Sequence, residues 1–354
     1  MAAFDDQFGK VDALVFKEDL LNKCGAKREE VICGPRFGVD TAIIDLGNGN
    51  ALATSSDPLS LIPSLGMEIS AHLSVHLLAN DMSTTGFAPQ YAQFVLNLPV
   101  SLSREDFNLY WSHIDTLCKK IGISITGGHT GQIPGQESTI SGGGTMFLQA
   151  PKDKIVSSNN ARVGDSIIMT KHAALSSSSL LANAFPETVS EKCGKQTQEI
   201  AANNFWDLSV LKEALAASSI LEPNKELHAM HDVTEGGILG ALDEMADASG
   251  CGFTVELDKI KLNEEVKQIT DLFEIDPFIS IGAGSMLMAV KPGNEDRLIQ
   301  GLSEKGVEAY KIGEFMEGSS KQIVQANGEQ KSFTFDGVDP YWAAFFKAFQ
   351  AGWK

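Results

Sequence analysis

A polar stretch with no period, residues 150–164, most constrains this chain, because it separates two runs of elements that each start afresh. At 354 residues the chain is long for one core and comfortable for two. The boundary therefore predicts two units, 1–155 and 160–354. In the first, residues 41–46 and 51–54 read as strands around the turn signal Gly47-Asn-Gly-Asn50. A helix over 67–80 follows, with Ile69, Leu73 and Leu77 on one face. Then come a strand over 91–98, a helix over 103–121, a short strand over 123–126 ending in Gly127-Gly128, and a strand over 138–149. The second unit reads as strand 166–169, helix 174–184, one long helix near 196–217, strand 227–231 and helix 235–249. Strand 252–256, helix 263–273, strand 286–290, helix 294–304 and strand 307–312 complete it. Strands and helices mix without strict βα alternation, so α+β fits better than a doubly wound sheet.

Charge narrows the partners. The formal net charge is −18 and no basic cluster occurs, so nucleic acid and anionic membrane would both meet repulsion. A polyphosphate remains compatible if metal ions and backbone amides supply local positive potential. No run approaches the roughly 20 apolar residues of a membrane span. The five cysteines are scattered, with no C-x-x-C pair, which argues against a disulfide scaffold or a cysteine-held zinc. The first residues, Met-Ala-Ala-Phe-Asp-Asp, carry acid where a signal peptide carries base. A cytoplasmic protein is the expectation.

Acidic and polar clusters recur at strand ends and helix starts. They are Gly38-Val-Asp40-Thr-Ala, Ser55-Ser-Asp57-Pro, Asn80-Asp81 at the end of the first helix, and Gly127-Gly-His129-Thr-Gly131. Magnesium takes oxygen ligands, and carboxylates at the ends of neighbouring strands can converge on one ion from distant places in the sequence. The Gly127-Gly128 turn would let backbone approach a phosphate closely. In the second unit, His231-Asp232-Val-Thr234-Glu235-Gly236-Gly237 opens a helix. Asp232 to Glu235 has the spacing of a capping box. Two glycines just inside a helix cost about 1 kcal/mol each against alanine, so either a phosphate or a close-packed neighbour wants bare backbone there.

Other features read as packing. His72 and His76 have the i, i+4 spacing of a metal pair, but no third ligand is placed and a packing role is expected. The stripe Phe205, Trp206, Leu208, Leu211 and Leu215 reads as core, and Ser176–Ser179 as the lining of a helix start. The aromatic segment 341–349 reads as an amphipathic helix docked on the chain's own surface.

The run Gly-x-Asp-x-Ala, Ser-Asp-Pro, Asn-Asp-x-x-x-x-Gly-x-x-Pro, Gly-Gly-x-Thr and Asp-x-Thr-Glu-Gly-Gly, in this order, resembles the aminoimidazole ribotide synthetase-like (PurM-like) superfamily. The likeness continues through Gly164-Asp-Ser-Ile-Ile-Met169, 280–290 and Ile312-Gly-Glu314, so it spans roughly residues 9–315. Members include the purine cyclo-ligase, thiamine-monophosphate kinase, selenophosphate synthetase and the carbamoyl dehydratase of hydrogenase maturation, which it resembles most. The resemblance implies an N-terminal half whose strands complete a barrel across a homodimer, and a sandwich-like α+β C-terminal half, with ATP in the cleft between. It implies Asp40, Asp57 and Asp81 as Mg²⁺–phosphate carboxylates, with Asp81 in catalysis; His129, at the position of a family Asp, is expected to serve as a general base or nucleotide contact. Asn80, Gly127, Gly128, His129 and Thr130 would border the nucleotide, and Asp232, Thr234, Glu235 and Gly236 would close the site. The implied chemistry is ATP-driven activation of a substrate oxygen by phosphoryl transfer, on an acceptor the sequence does not name. Two departures stand out: His129 replaces an Asp of the kinases, and the dehydratase's terminal cysteine is not matched, the last cysteine here being Cys251. A catalytically silent nucleotide-binding regulator or assembly partner is the alternative, and a protein partner is compatible with either.

Overall fold

The computed structural model describes residues 9–11 and 13–354. After a short arm carrying α1 (Ala13–Val15), the first half runs β1 (Val31–Cys33), β2 (Ala42–Asp45), β3 (Asn50–Ser60), α2 (Met67–Ser83) and β4 (Tyr91–Pro99). It continues through α3 (Arg104–Ile121), β5 (Ser124–Ile133) and β6 (Ile140–Pro151). These strands form one open six-stranded sheet in the order β1-β2-β3-β6-β4-β5, antiparallel except where β4 meets β5. Alternation along β3 and β4 turns Ala51, Ala53, Leu59, Phe94 and Leu96 towards α2 and α3, where Leu78, Tyr110 and Ile114 complete a core. Among the described residues no layer covers the other face: Tyr91 stacks on Phe147, and Val95 stays 42% exposed.

Local signals explain the helices. Ser103 caps α3 by accepting the Asp106 N–H, acids occupy its first turn and Lys119 and Lys120 its last, and Gly122 closes it in the left-handed region. The C-terminal end of α2 extends past Asn80-Asp81 to Ser83, so both residues lie in its last turn rather than beyond it.

The second half runs β7 (Ser166–Thr170), α4 (Leu175–Ala184), α5 (Pro186–Cys193), α6 (Lys195–Asn203), α7 (Leu211–Ile220) and β8 (Leu227–Asp232). Then come α8 (Gly237–Ser249), β9 (Gly252–Glu256), α9 (Glu264–Phe273), β10 (Met286–Val290), α10 (Glu295–Glu304) and β11 (Ala309–Met316). The hairpin β12 (Lys321–Val324) and β13 (Gln330–Ser332) and then α11 (Pro340–Gln350) end the chain. The seven-stranded sheet has the order β13-β12-β9-β11-β7-β10-β8. Every residue of β7, β8 and β10 is buried, because α8 covers one face and α7 and α10 the other.

Two expectations are corrected. The single helix over 196–217 is broken into α6, a 3₁₀ turn over Asn204–Asp207, and α7. Within it Phe205 and Leu208 are core, but Trp206 is 42% exposed. The strand expected to stop at Thr126 instead continues through Gly127-Gly-His-Thr130 to Ile133, as the sheet edge β5. Helix α11 does dock on the chain itself, with Phe345 against Phe185 and Tyr341 buried.

Candidate functional site

The site lies where the two halves meet. Asn80, fully buried, bridges them: its amide donates to the Leu208 carbonyl at 2.8 Å and accepts the Val210 N–H at 2.9 Å. Beside this bridge, β8 delivers His231 and Asp232 as its last two residues. The loop before β2 carries Asp40 to within 2.8 Å of His231 Nδ1, and His231 Nε2 lies 3.3 Å from Glu244 Oε2 of α8. Asp40, His231 and Asp232 place one ligand atom each within 4.8 Å of one another. From the first half, Asp57 of β3 and Asp81 of α2 face the same space, and Ser55 donates to Asp81 Oδ2 at 2.7 Å.

The electrostatics show how closely these carboxylates crowd. Burial, then Asp232, Asp57 and Asp40, push the Asp81 carboxyl well above the usual range. Burial and the Asp40 charge push Asp232 up to about 7, although His231 and Lys10 pull the other way. Asp57 rises to about 6 through burial. Glu244 is the exception: burial would raise it, but Lys10 and His231 hold it down at about 2. Burial would likewise lower His231, yet Asp40 and Glu244 raise it well above its ordinary value. Four aspartates from both halves thus share one low-dielectric space, and such a nest invites a cation.

The donor set fits magnesium. Carboxylate oxygens are the hard ligands it takes, and Asp232 Oδ2 is buried without a hydrogen-bond partner, an orphan that an ion would satisfy. Of the trio Asp40, Asp57 and Asp81, only Asp40 belongs to the tightest group, where His231 and Asp232 join it.

The 232–237 turn corrects the capping-box expectation. No side chain caps α8; Gly236 precedes it in the left-handed region, and Glu235 accepts the Lys10 N–H at 2.6 Å instead. The two glycines answer to close neighbours. A Cβ on Gly236 would meet the Phe335 ring at 2.8 Å, and one on Gly237 the Phe278 and Ser280 carbonyls at 2.7 Å. The Gly236 N–H donates to Asp339 Oδ2 at 2.8 Å, tying the turn to the segment before α11.

The Gly127–Thr130 group lies within the edge strand β5 rather than in a turn after it. Gly128 pairs with Phe94, which pairs with Gly144, which pairs with Asp57. Three strand spacings therefore put it about 14 Å from Asp57. Gly128 is glycine because β4 passes too close for a Cβ, against the Phe94 carbonyl. His129 and Thr130 are exposed on this edge. Asn80 has both amide atoms engaged by backbone, so the structure gives it a bridging place. The His72 and His76 rings lie 4.2 Å apart, tilted by 43°, with Phe205 beside His72. Ser176–Ser179 are buried in the first turns of α4, and Ser177 meets Ser280 at 3.0 Å.

Sequence reasoning missed three participants. Gly9-Lys10 stood out as the start of the family likeness without a role for Lys10, and Glu244 and Ser55 had no role assigned. A charged residue on the buried face of α8, among Leu239, Ala241, Leu242 and Met245, was the one clue that pointed to Glu244.

Fold and site together define a two-domain α+β protein with an acidic cleft between its halves. The family models for AIR synthase related protein match over both: the N-terminal domain at residues 38–147 and the C-terminal domain at 162–325. The chain belongs to the AIR synthase-related family. A putative hydrogenase expression/formation protein of Methanocaldococcus jannaschii is 25% identical over 232 residues, 66% of this chain and 65% of that protein. A selenide, water dikinase of Aeromonas hydrophila is 26% identical over 234 residues, 64% of this chain and 61% of that enzyme. The matched stretches thus span less than two thirds of these relatives. Among solved structures, the hydrogenase maturation protein HypE in complex with ATP shares the fold with a TM-score of 0.67 at 16% identity, covering 94% of this chain and 97% of that one. Among the described residues no helix is long and apolar enough to cross a membrane.

Proposed function

We propose that this protein is a Mg²⁺-dependent, ATP-using enzyme that activates a substrate oxygen by phosphoryl transfer, with units at 1–155 and 160–354. The observation that carries the reading is the convergence of Asp40, Asp57, Asp81 and Asp232 from both halves on one buried space. A chain of net charge −18 gains affinity for a polyphosphate only where a cation offsets such a nest. When bound, magnesium supplies neutralisation of phosphate charge. This chain's residues would do the rest: the carboxylates would hold the ion, Ser55 orients Asp81, and Asp40 fixes the His231 ring beside Glu244. The ATP-bound neighbour and the kinase relative support ATP as the donor. Rate would come from positioning and charge neutralisation. His129 and Thr130, exposed on the β5 edge, would border the nucleotide.

Calorimetry with ATP at saturating and limiting Mg²⁺ tests the donor, and ATP consumption in the presence of a metabolite extract tests turnover. Metal-dependent binding with consumption is expected. Binding without consumption would leave a nucleotide-binding regulator, and no binding at any Mg²⁺ would refute the reading.

A further inference from the structure

The tightest group in the cleft is mixed in its chemistry. Asp40 and Asp232 bring oxygen, but the third member, His231, brings nitrogen. It is the last residue but one of β8, 2% exposed, with a carboxylate against each ring nitrogen. Nδ1 stands 2.8 Å from Asp40 Oδ1 and 2.9 Å from Oδ2, and Nε2 stands 3.3 Å from Glu244 Oε2. Asp232, equally buried, has an Oδ2 with no hydrogen-bond partner.

These spacings suit ligands that share an ion. Donors about 2.1 Å from one octahedral ion stand about 2.9 Å from their neighbours around it. His231 Nδ1 has that separation from the Asp40 carboxylate. Without an ion the pair is joined by a hydrogen bond. Ion binding would replace the shared proton, which passes to water, and leave the Glu244 carboxylate beside Nε2 to orient the ring. A carboxylate behind the far nitrogen is the common support of a ligating histidine. A hydrogen-bonded pair alone would not need Asp232 within 4.8 Å of both partners, nor leave its buried oxygen unpaired.

We infer that His231 is a direct nitrogen ligand of the cleft's cation, so that the site takes a divalent transition ion such as Mn²⁺ or Fe²⁺ more tightly than Mg²⁺. The inference rests on the reading of that cleft as a cation site. Magnesium is served by oxygen alone, whereas imidazole adds affinity for transition ions. Asp40 belongs to the first half and His231 with Asp232 to the second, so one ion would also be shared between the halves.

The probe is Mn²⁺, added to the nucleotide-free full chain and read by electron spin echo envelope modulation, which detects nitrogen bound to the ion. The parent should show a nitrogen coupling that changes when its histidines carry the heavy nitrogen isotope. His231→Asn keeps an amide near the place of Nδ1, able to donate to Asp40, and should lose the histidine coupling. Its Mn²⁺ affinity should fall by at least the roughly tenfold that even the outer partners of a ligand are worth, with Mg²⁺ affinity changed much less. Competition between the two ions in the parent needs no variant, and Mn²⁺ should win. Mn²⁺ bound without histidine coupling, a coupling that survives His231→Asn, or equal affinity of the parent for both ions overturns His231 as a ligand and leaves the carboxylate site standing. Absence of Mn²⁺ binding by the parent overturns the cation site and the inference together.

Discussion

Asp81 shows how much a single side chain depends on its surroundings. It sits in the last turn of α2, holds the Ser55 hydroxyl, and is crowded by three other aspartates. Without metal those neighbours disfavour its charge, so Asp81→Asn should leave thermal stability unchanged or slightly higher. With Mg²⁺ the same change removes an anionic ligand while keeping size, and ATP affinity should fall about tenfold or more, or about 1.4 kcal/mol. Calorimetry at saturating and limiting Mg²⁺ checks it, and equal affinity in both proteins would remove Asp81 from the site. The aspartates stood out through the family resemblance, since acid at a strand or helix end is by itself an ordinary turn or cap pattern, and Asp57 lies within β3 rather than at its end. The role of Lys10 did not, since its partners Thr234 and Glu244 lie more than two hundred positions away and only the tertiary fold selects them.

Between elements, Asn80 joins α2 to the turn before α7. Asn80→Ala would leave a buried carbonyl and a buried N–H unpaired, at about 1–3 kcal/mol each. The expected result is a loss of about 2–4 kcal/mol in chemical denaturation, with the cleft's ligand binding weakened as the halves lose their bridge. The same helix carries His72 and His76, whose burial lowers their pKa values to about 3 and about 4. Both are depressed below the ordinary value, so the unfolded chain takes up protons that the native state refuses. Their contribution is complete above about pH 6.5 and falls as pH drops towards 4, by about 1.4 kcal/mol per pH unit for each ring. The aspartates with raised pKa values act in the opposite sense, so the check is the difference in slope between the parent and a His72→Gln/His76→Gln variant. Element types in the first half followed from period and turn chemistry. The break within 196–217 did not, because Phe205 and Leu208 keep a helical spacing that conceals a 3₁₀ turn. Nor did the full length of β5, whose glycines imitate a loop although it is at Gly128 that β4 comes too close for a Cβ.

The molecule as a whole presents one unfinished surface. The six-stranded sheet leaves β5 exposed on both sides and Tyr91, Val95, Ile133 and Ile140 substantially open to solvent. An apolar face beside an unpaired edge is what a two-fold partner resolves. Sedimentation at micromolar concentration should therefore give about twice 38.0 kDa, and a species of monomer mass alone would refute the dimer. The strands on either side of the polar stretch, β6 and β7, lie in different sheets. The cleft's exact membership was not readable from the sequence, since His231 entered the tight group only when β8 and the loop before β2 were set side by side.

The Asp339–Gly236 hydrogen bond has a bearing on how sequence variants of this protein should be interpreted. One oxygen of Asp339 holds the turn after Asp232, and the other accepts the Tyr341 N–H that starts α11. The Phe335 ring fills the space above Gly236. A substitution at 335 or 339 falls more than a hundred positions downstream of the last aspartate of the cleft and outside the matched family domains. It would ordinarily be filed as a harmless change in a variable tail. Its phenotype should instead be that of an active-centre lesion, with the tail inheriting the selective weight of the residues it restrains.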